Sequence, residues 1–165
     1  MSKPSYKSPE AELPFLLSQV GAHAAARFAE RIAPLSLKPH HSGILRVLAR
    51  NPGLAQQSLC DLLGMFPSRL VGLLDELETL NLIERRASPS DRRTYSLHLT
   101  KGGRDALADI GKIAQQHLDD LCAALDEKEQ NLLAEFLTRI VSQQKITPGI
   151  HPGYRQIGRS STEMC

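Results

Sequence analysis

The chain of 165 residues carries 20 Lys and Arg against 18 Asp and Glu, a formal net charge of +2, which excludes an indiscriminate polyanion binder with its large positive excess. Hydrophobic residues make up 41% but aromatics only 4%, without Trp, so helices are favoured over a β-sandwich. No run of about 18 apolar residues occurs, which excludes a membrane-spanning helix.

Residues 1–9 are polar, with Pro4 and Pro9 and no apolar signal segment, and are expected to form a flexible N-terminus. Leu13, Leu16, Leu17, Val20, Ala24, Phe28 and Ile32 recur at helical spacing. They predict one long amphipathic helix within the segment 10–35, stopped at Pro34. A second helix is expected to open at Pro39, whose missing N–H suits a first turn, with Ile44, Leu45, Val47 and Leu48 as its buried stripe. Asn51-Pro52-Gly53 then punctuates the chain.

Gln56 to Leu63 reads as a short helix with Leu59, Leu62 and Leu63 inward, closed by Gly64. Another runs from Pro67 to Leu80 with Leu70, Leu73, Leu74, Leu77 and Leu80 on one packed face. Two helices so closely joined are a helix-turn-helix signature, and Asn81 is a suitable left-handed cap. Leu82 to Arg86 and Thr94 to Leu99 then read as two strands, joined by a charged, turn-rich tip from Ala87 to Arg93.

Thr100 is placed to cap the next helix, striped by Leu107, Ile110, Ala114, Leu118, Leu121 and Leu125. A last helix carries Leu132, Leu133, Phe136, Leu137, Ile140 and Val141. These long helices bear more apolar surface than a small head can cover, so pairing with a second subunit is expected. The tail 147–165 lacks periodicity, although Ile150, Tyr154 and Ile157 can dock it.

The neutral total conceals a segregation. Between Glu84 and Arg104 lie the bases Arg85, Arg86, Arg92, Arg93, Lys101 and Arg104 against the acids Glu84 and Asp91. From Asp105 to Glu135 the balance reverses, with eight acids and two lysines. One basic face on an otherwise acidic body is expected.

A helix-turn-helix followed by a basic hairpin is a winged helix. Leu70-Val71-Gly72-Leu73-Leu74-Asp75-Glu76-Leu77-Glu78, Leu82-Ile83-Glu84-Arg85-Arg86, Ser88-Pro89-Ser90-Asp91-Arg92-Arg93 and Leu97-His98-Leu99-Thr100-Lys101-Gly102-Gly103 follow in order. Together they resemble the MarR family of bacterial transcription regulators. The resemblance covers roughly residues 54 to 104, with flanking helices that fit to about residue 145. It implies a mainly α fold with a small β-hairpin wing, and long helices forming an intertwined dimerisation domain. On that plan, 10–35 is a dimerisation helix, 36–100 the winged helix-turn-helix DNA-binding domain and 101–146 the remaining dimerisation helices. It implies further a homodimeric repressor on a palindromic operator of double-stranded DNA. Two departures are visible: Phe66-Pro67-Ser68-Arg69 replaces the usual start of the recognition helix, and Lys38 stands where Ser or Thr commonly caps.

The residue chemistry points the same way. A helix entering the major groove meets base edges with a distinguishable donor and acceptor pattern. Pro67, Ser68, Arg69 and Gly72 are the candidate readers, Arg69 being suited to bidentate contact with guanine. Arg92 and Arg93 at the hairpin tip suit a narrow minor groove, and the resemblance makes Asp91 a brace for them. Ser58, Arg85, Arg86 and Lys101 are further candidates for backbone contact.

Small phenolic or carboxylate effectors release DNA in many members of the family. The polar groups expected near such a crevice are His23 and Arg27, one turn apart on the first helix, with His40 and His41 opening the second. No cofactor is expected. Cys60, Cys122 and Cys165 are far apart and odd in number, which fits a reduced cytoplasm. Cys60 and Cys122 sit at packing positions where thiols are inert. His40-His41 has no spaced partner in sequence, so no metal site is read. Enzyme function is not expected, because no phosphate-cradling Gly loop, Gly-x-Ser-x-Gly or His-Glu-x-x-His is present. The rival reading is a winged helix serving protein interaction without specific DNA binding.

Overall fold

The structure is a computed structural model that describes residues 9–87 and 94–156. The expected flexible segment 1–9 therefore lies outside the described residues except for Pro9, which opens the first helix. Among the described residues, six α-helices and three strands follow in chain order: α1 (Pro9–Ile32), α2 (Pro39–Arg50), β1 (Leu54–Ala55), α3 (Gln56–Leu63), α4 (Pro67–Thr79), β2 (Ile83–Ala87), β3 (Tyr95–Leu99), α5 (Lys101–Leu121) and α6 (Glu127–Gln143). Short 3-10 turns occupy Ala33–Leu35 and Pro152–Gln156.

The head spans α2 to β3 and is built on leucine. Leu45, Leu48, Leu59, Leu63, Leu70, Leu74, Leu77 and Leu97 are all buried, each stabilising the fold by roughly 2 kcal/mol relative to exposure. Leu62 and Leu80, expected inward, are instead exposed. In α3 the buried arc is Leu59, Cys60 and Leu63. Leu62 lies about 100° from the middle of that arc, at roughly 100° of turn per residue.

The hairpin belongs to a three-stranded antiparallel sheet of order β1-β3-β2. Leu54 and Ala55 pair with Leu97 and Ser96, a two-residue strand too short to show any alternation in sequence. Gly53, at φ +78°, turns the chain into β1, and its N–H donates to Leu97 O at 3.0 Å. Both hairpin strands begin one residue later than expected, at Ile83 and Tyr95, and for β2 the reason is that the chain at Asn81 and Leu82 is still closing α4. Asn81 adopts φ +55°. Its N–H donates to Glu78 O and that of Leu82 to Leu77 O, at 2.8 and 3.0 Å. This pair of bonds is a Schellman closure, which satisfies two terminal carbonyls.

The Leu-Thr-x-Gly-Gly motif welds the next helix onto this corner. Thr100 Oγ1 accepts from Gly103 N at 3.0 Å, capping α5, and donates to Asn81 O at 2.6 Å. A Cβ on Gly103 would stand 2.0 Å from Leu82 O, so only glycine permits the approach. The stripe expected to continue to Leu125 ends at Leu121, and Asp126 caps α6 through Glu129 N at 2.9 Å.

The long helices contrast with the head. Phe28 of α1 stacks obliquely on His117 of α5 at 5.7 Å, and Arg31 pairs with Asp120. Leu13, Phe15, Leu17, Val20, Leu118, Leu121, Leu132, Leu133, Phe136, Leu137 and Ile140 are nevertheless exposed. No residue of α6 is buried. The tail turns back over α2: Tyr154 is buried, and its hydroxyl donates to His40 O at 2.6 Å. Burial pushes the phenol up to about 12. Ile150 packs against the core as expected, while Ile157 lies outside the described residues.

Candidate nucleic-acid interface

Helix α4 has two faces. Leu70, Leu73, Leu74 and Leu77 face the core, while Pro67, Ser68, Arg69 and Gly72 are exposed. Position 72 lies three residues from 69 and four from 68, so it neighbours both on the helix surface. A side chain at Gly72 would meet nothing within 4 Å. This side is therefore clear of the rest of the head, and another surface can approach the backbone there.

Phe66 adds an element that the sequence showed only as an unusual cap. It precedes Pro67 with no side-chain hydrogen bond to the helix and is 72% exposed. The available signal was its position, an aromatic immediately before the first turn of the second helix. An aromatic ring there can make apolar contact with a thymine methyl beside the Arg69 guanidinium.

The hairpin base is clamped to α4 by charge. Arg85 Nε and Nη2 donate to Glu78 Oε2 at 2.9 and 2.6 Å, and Arg85 N donates to Glu78 Oε1 at 2.9 Å. Arg85 Nη2 also pairs with Asp75. The Arg85 hydrogen bonds hold the Glu78 carboxyl below its ordinary 4.5. Leu77-Glu78 and Leu82-Ile83-Glu84-Arg85, two of the motifs behind the family resemblance, are thus the two halves of one ionic joint. Arg85 was expected as a candidate for DNA-backbone contact, but its side chain is only 18% exposed and is directed at α4. Its side chain ties β2 to α4.

Arg86, Lys101 and Ser58 are exposed. Arg86 pairs with Glu84, and Lys101 with Asp105 at 3.0 Å. Exposed pairs of this kind contribute roughly 0–1 kcal/mol and exchange readily for another anion. Asp91, Arg92 and Arg93 lie outside the described residues.

The groups expected near an effector crevice do not form one cluster. His23 and Arg27 are exposed on α1, and Arg27 pairs with Glu30 on its own helix at 2.8 Å. Among the described residues, no hydrogen bond or ion pair joins them to His40 or His41. His41 is 2% exposed, and its Nδ1 accepts from Lys38 N at 3.3 Å. The ring proton therefore sits on Nε2, 2.9 Å from Glu76 Oε2. Burial, the largest influence, lowers the basicity of His41 despite the neighbouring carboxylate. Lys38 Nζ reaches the same Glu76 oxygen at 3.0 Å. Glu76 belongs to α4, so this cluster ties the entrance of α2 to the recognition helix. Sequence spacing could not reveal it, because 35 residues separate His41 from Glu76.

Cys60 is buried, its thiol donating to Met65 O at 3.1 Å, and burial pushes that thiol up. Cys122 is half-buried, and Cys165 lies outside the described residues. Among the described residues, no helix is long and apolar enough to cross a membrane.

Comparison with known proteins places this geometry. A family model described as MarR family matches residues 35–94. A protein of Thauera aromatica, described as a transcriptional regulatory protein for the hcr operon, is 36% identical over 138 residues, covering 83% of each chain. The transcriptional repressor CouR, solved bound to a 23-mer DNA duplex, is 32% identical with a TM-score of 0.71, covering 82% of this chain and 99% of that one. A crystal structure of MarR shares the fold at a TM-score of 0.73 and 24% identity, covering 86% of this chain and 96% of that one. The clamped hairpin, the welded α4–α5 corner and this similarity along most of the chain have one explanation: the protein belongs to the MarR family of winged-helix transcription regulators.

Proposed function

We propose that this chain is a cytoplasmic, homodimeric repressor that binds a palindromic operator through α4 and the hairpin tip. The observation that carries the reading is the clear face of α4, where Ser68, Arg69 and Gly72 stand exposed beside a wing locked in place by Arg85. On this reading Arg69, exposed on that face, makes bidentate contact with guanine in the major groove. Arg92 and Arg93 extend the reach into the adjacent minor groove, with Asp91 bracing them. Ser58, Arg86 and Lys101 contact phosphates on either side.

Dimerisation is supported by the apolar residues of α1, α5 and α6 that stay exposed in the described chain, among them Leu13, Val20, Leu118, Phe136 and Ile140. Two copies related by a two-fold axis would bury these residues and present two α4 helices to two half-sites. A small aromatic or carboxylate ligand entering beside one of the two pairs, His23 with Arg27 or His40 with His41, would favour a head orientation that does not fit the operator.

A mobility-shift titration on the upstream region of the chain's own gene, repeated at several salt concentrations, tests the proposal. Specific binding should outlast non-specific binding as salt rises. Arg92→Ala with Arg93→Ala should remove most affinity, and unchanged binding would sink the wing assignment. Equal binding to unrelated DNA at every salt concentration would favour the protein-interaction reading. A panel of aromatic acids added to the same titration should dissociate the complex.

A further inference from the structure

We propose that His40, His41 and Glu76 form a binding site for a divalent transition ion of the zinc class, joining α2 to the recognition helix. A ring nitrogen of His40, a ring nitrogen of His41 and a Glu76 carboxylate oxygen can each supply one ligand atom, and these atoms lie within 4.8 Å of one another. His41 Nε2 and Glu76 Oε2 are already 2.9 Å apart. A tetrahedral zinc ion with bonds of about 2.1 Å needs its ligand atoms roughly 3.4 Å apart, so small side-chain rotations complete the set.

His40 supplies an independent sign of a ligand. Its Nε2 is buried and has no hydrogen-bond partner among the described residues, whereas buried polar atoms are ordinarily satisfied. The His40 and His41 rings meet edge to face with centroids 4.7 Å apart. Two imidazoles and a carboxylate suit zinc, nickel or copper better than the oxygen-seeking calcium and magnesium. Three protein ligands leave a fourth position for water or an anionic ligand.

The site has competitors that set its character. Lys38 Nζ, 3.0 Å from Glu76 Oε2, would be displaced by the ion. Coordination through His41 Nε2 also moves the ring proton to Nδ1, which opens the 3.3 Å bond from Lys38 N. That bond is longer than ordinary N–H hydrogen bonds. With these groups to displace, the ion is exchangeable, unlike one in a closed four-ligand structural site. Because Glu76 lies on α4, occupancy and DNA affinity are coupled, and by linkage each ligand alters the affinity of the other.

Zinc binding to the full-length chain, first stripped with a chelator, tests the site by isothermal titration calorimetry. One zinc per chain is expected for the native protein, with at least ten-fold weaker binding in both His40→Ala and Glu76→Gln. Absence of binding to the native chain would overturn the proposal. Native affinity retained in either variant would overturn the three-ligand assignment. Glu76→Gln keeps the shape of an exposed side chain, so the test stands even if His40→Ala fails to fold. The readout requires no DNA, and its failure would leave the regulator reading intact.

Discussion

The head and the long helices are written in the same leucine-rich vocabulary, yet they satisfy it differently. Leu59, Leu70, Leu74 and Leu97 of the head are almost completely covered within one chain. On α6, Leu132, Leu133, Phe136, Leu137 and Ile140 repeat at helical spacing and remain exposed. Amphipathic patterning therefore states that a face is to be covered, but not by what. The head closes on itself because α2, α3, α4 and the sheet surround a common centre. The apolar residues of α6 find no such enclosure within the described chain, and the proposed second copy is their economical cover.

The sharpest break of this contrast lies on the long helices. Phe136→Glu with Ile140→Glu should convert a dimer into a monomer in analytical ultracentrifugation while the head stays folded. A dimer that survives both charges would show that α6 is not the covering face. In the head, Leu74→Ala should cost about 2–5 kcal/mol in urea unfolding, since a fully enclosed leucine leaves a cavity. Loss of only a few tenths of a kcal/mol would mean that the head collapses around the gap as an exposed surface does.

The joint between the two regions should be nearly as sensitive. Gly103→Ala places a methyl against Leu82 O, and overpacking of this kind costs roughly 1–3 kcal/mol. Thermal unfolding checks it, and Gly72→Ala on the open face is the contrast, with a neutral or slightly favourable effect.

The smallest effect concerns charge. Arg85 holds Glu78 in its ionised form, so the folded-state carboxyl titrates below 4.5. The stabilisation is complete above that ordinary value and is lost as pH falls through the depressed one. Glu78→Gln should therefore flatten the acid limb of a stability-versus-pH curve, and an unchanged slope would count against the joint.

Legibility followed the range of the physics. Local chemistry was readable: Pro39 and Pro67 open helices, Asn81 takes the left-handed cap, and Thr100 caps α5. Each depends on neighbours within a few residues. The exposed face of α4 was readable too, as the complement of its leucine stripe. Strand β1 was not, because two residues carry no period and become a strand only when β3 lies alongside. The engagement of Arg85 was equally hidden. A basic residue in a basic run reads as a phosphate contact until Asp75 and Glu78 are brought across by the turn after α4.

The order of the helices and of the two hairpin strands, the motifs of the family and the apolar stripes of the long helices were determined by sequence alone, because periodicity and capping act over one or two turns. Tertiary structure decided which charges are consumed internally and which remain for a ligand. It directed Arg85 inward, left Arg69 and Phe66 outward, and set His40, His41 and Glu76 side by side. Those assignments depend on through-space distances, which chain spacing does not encode.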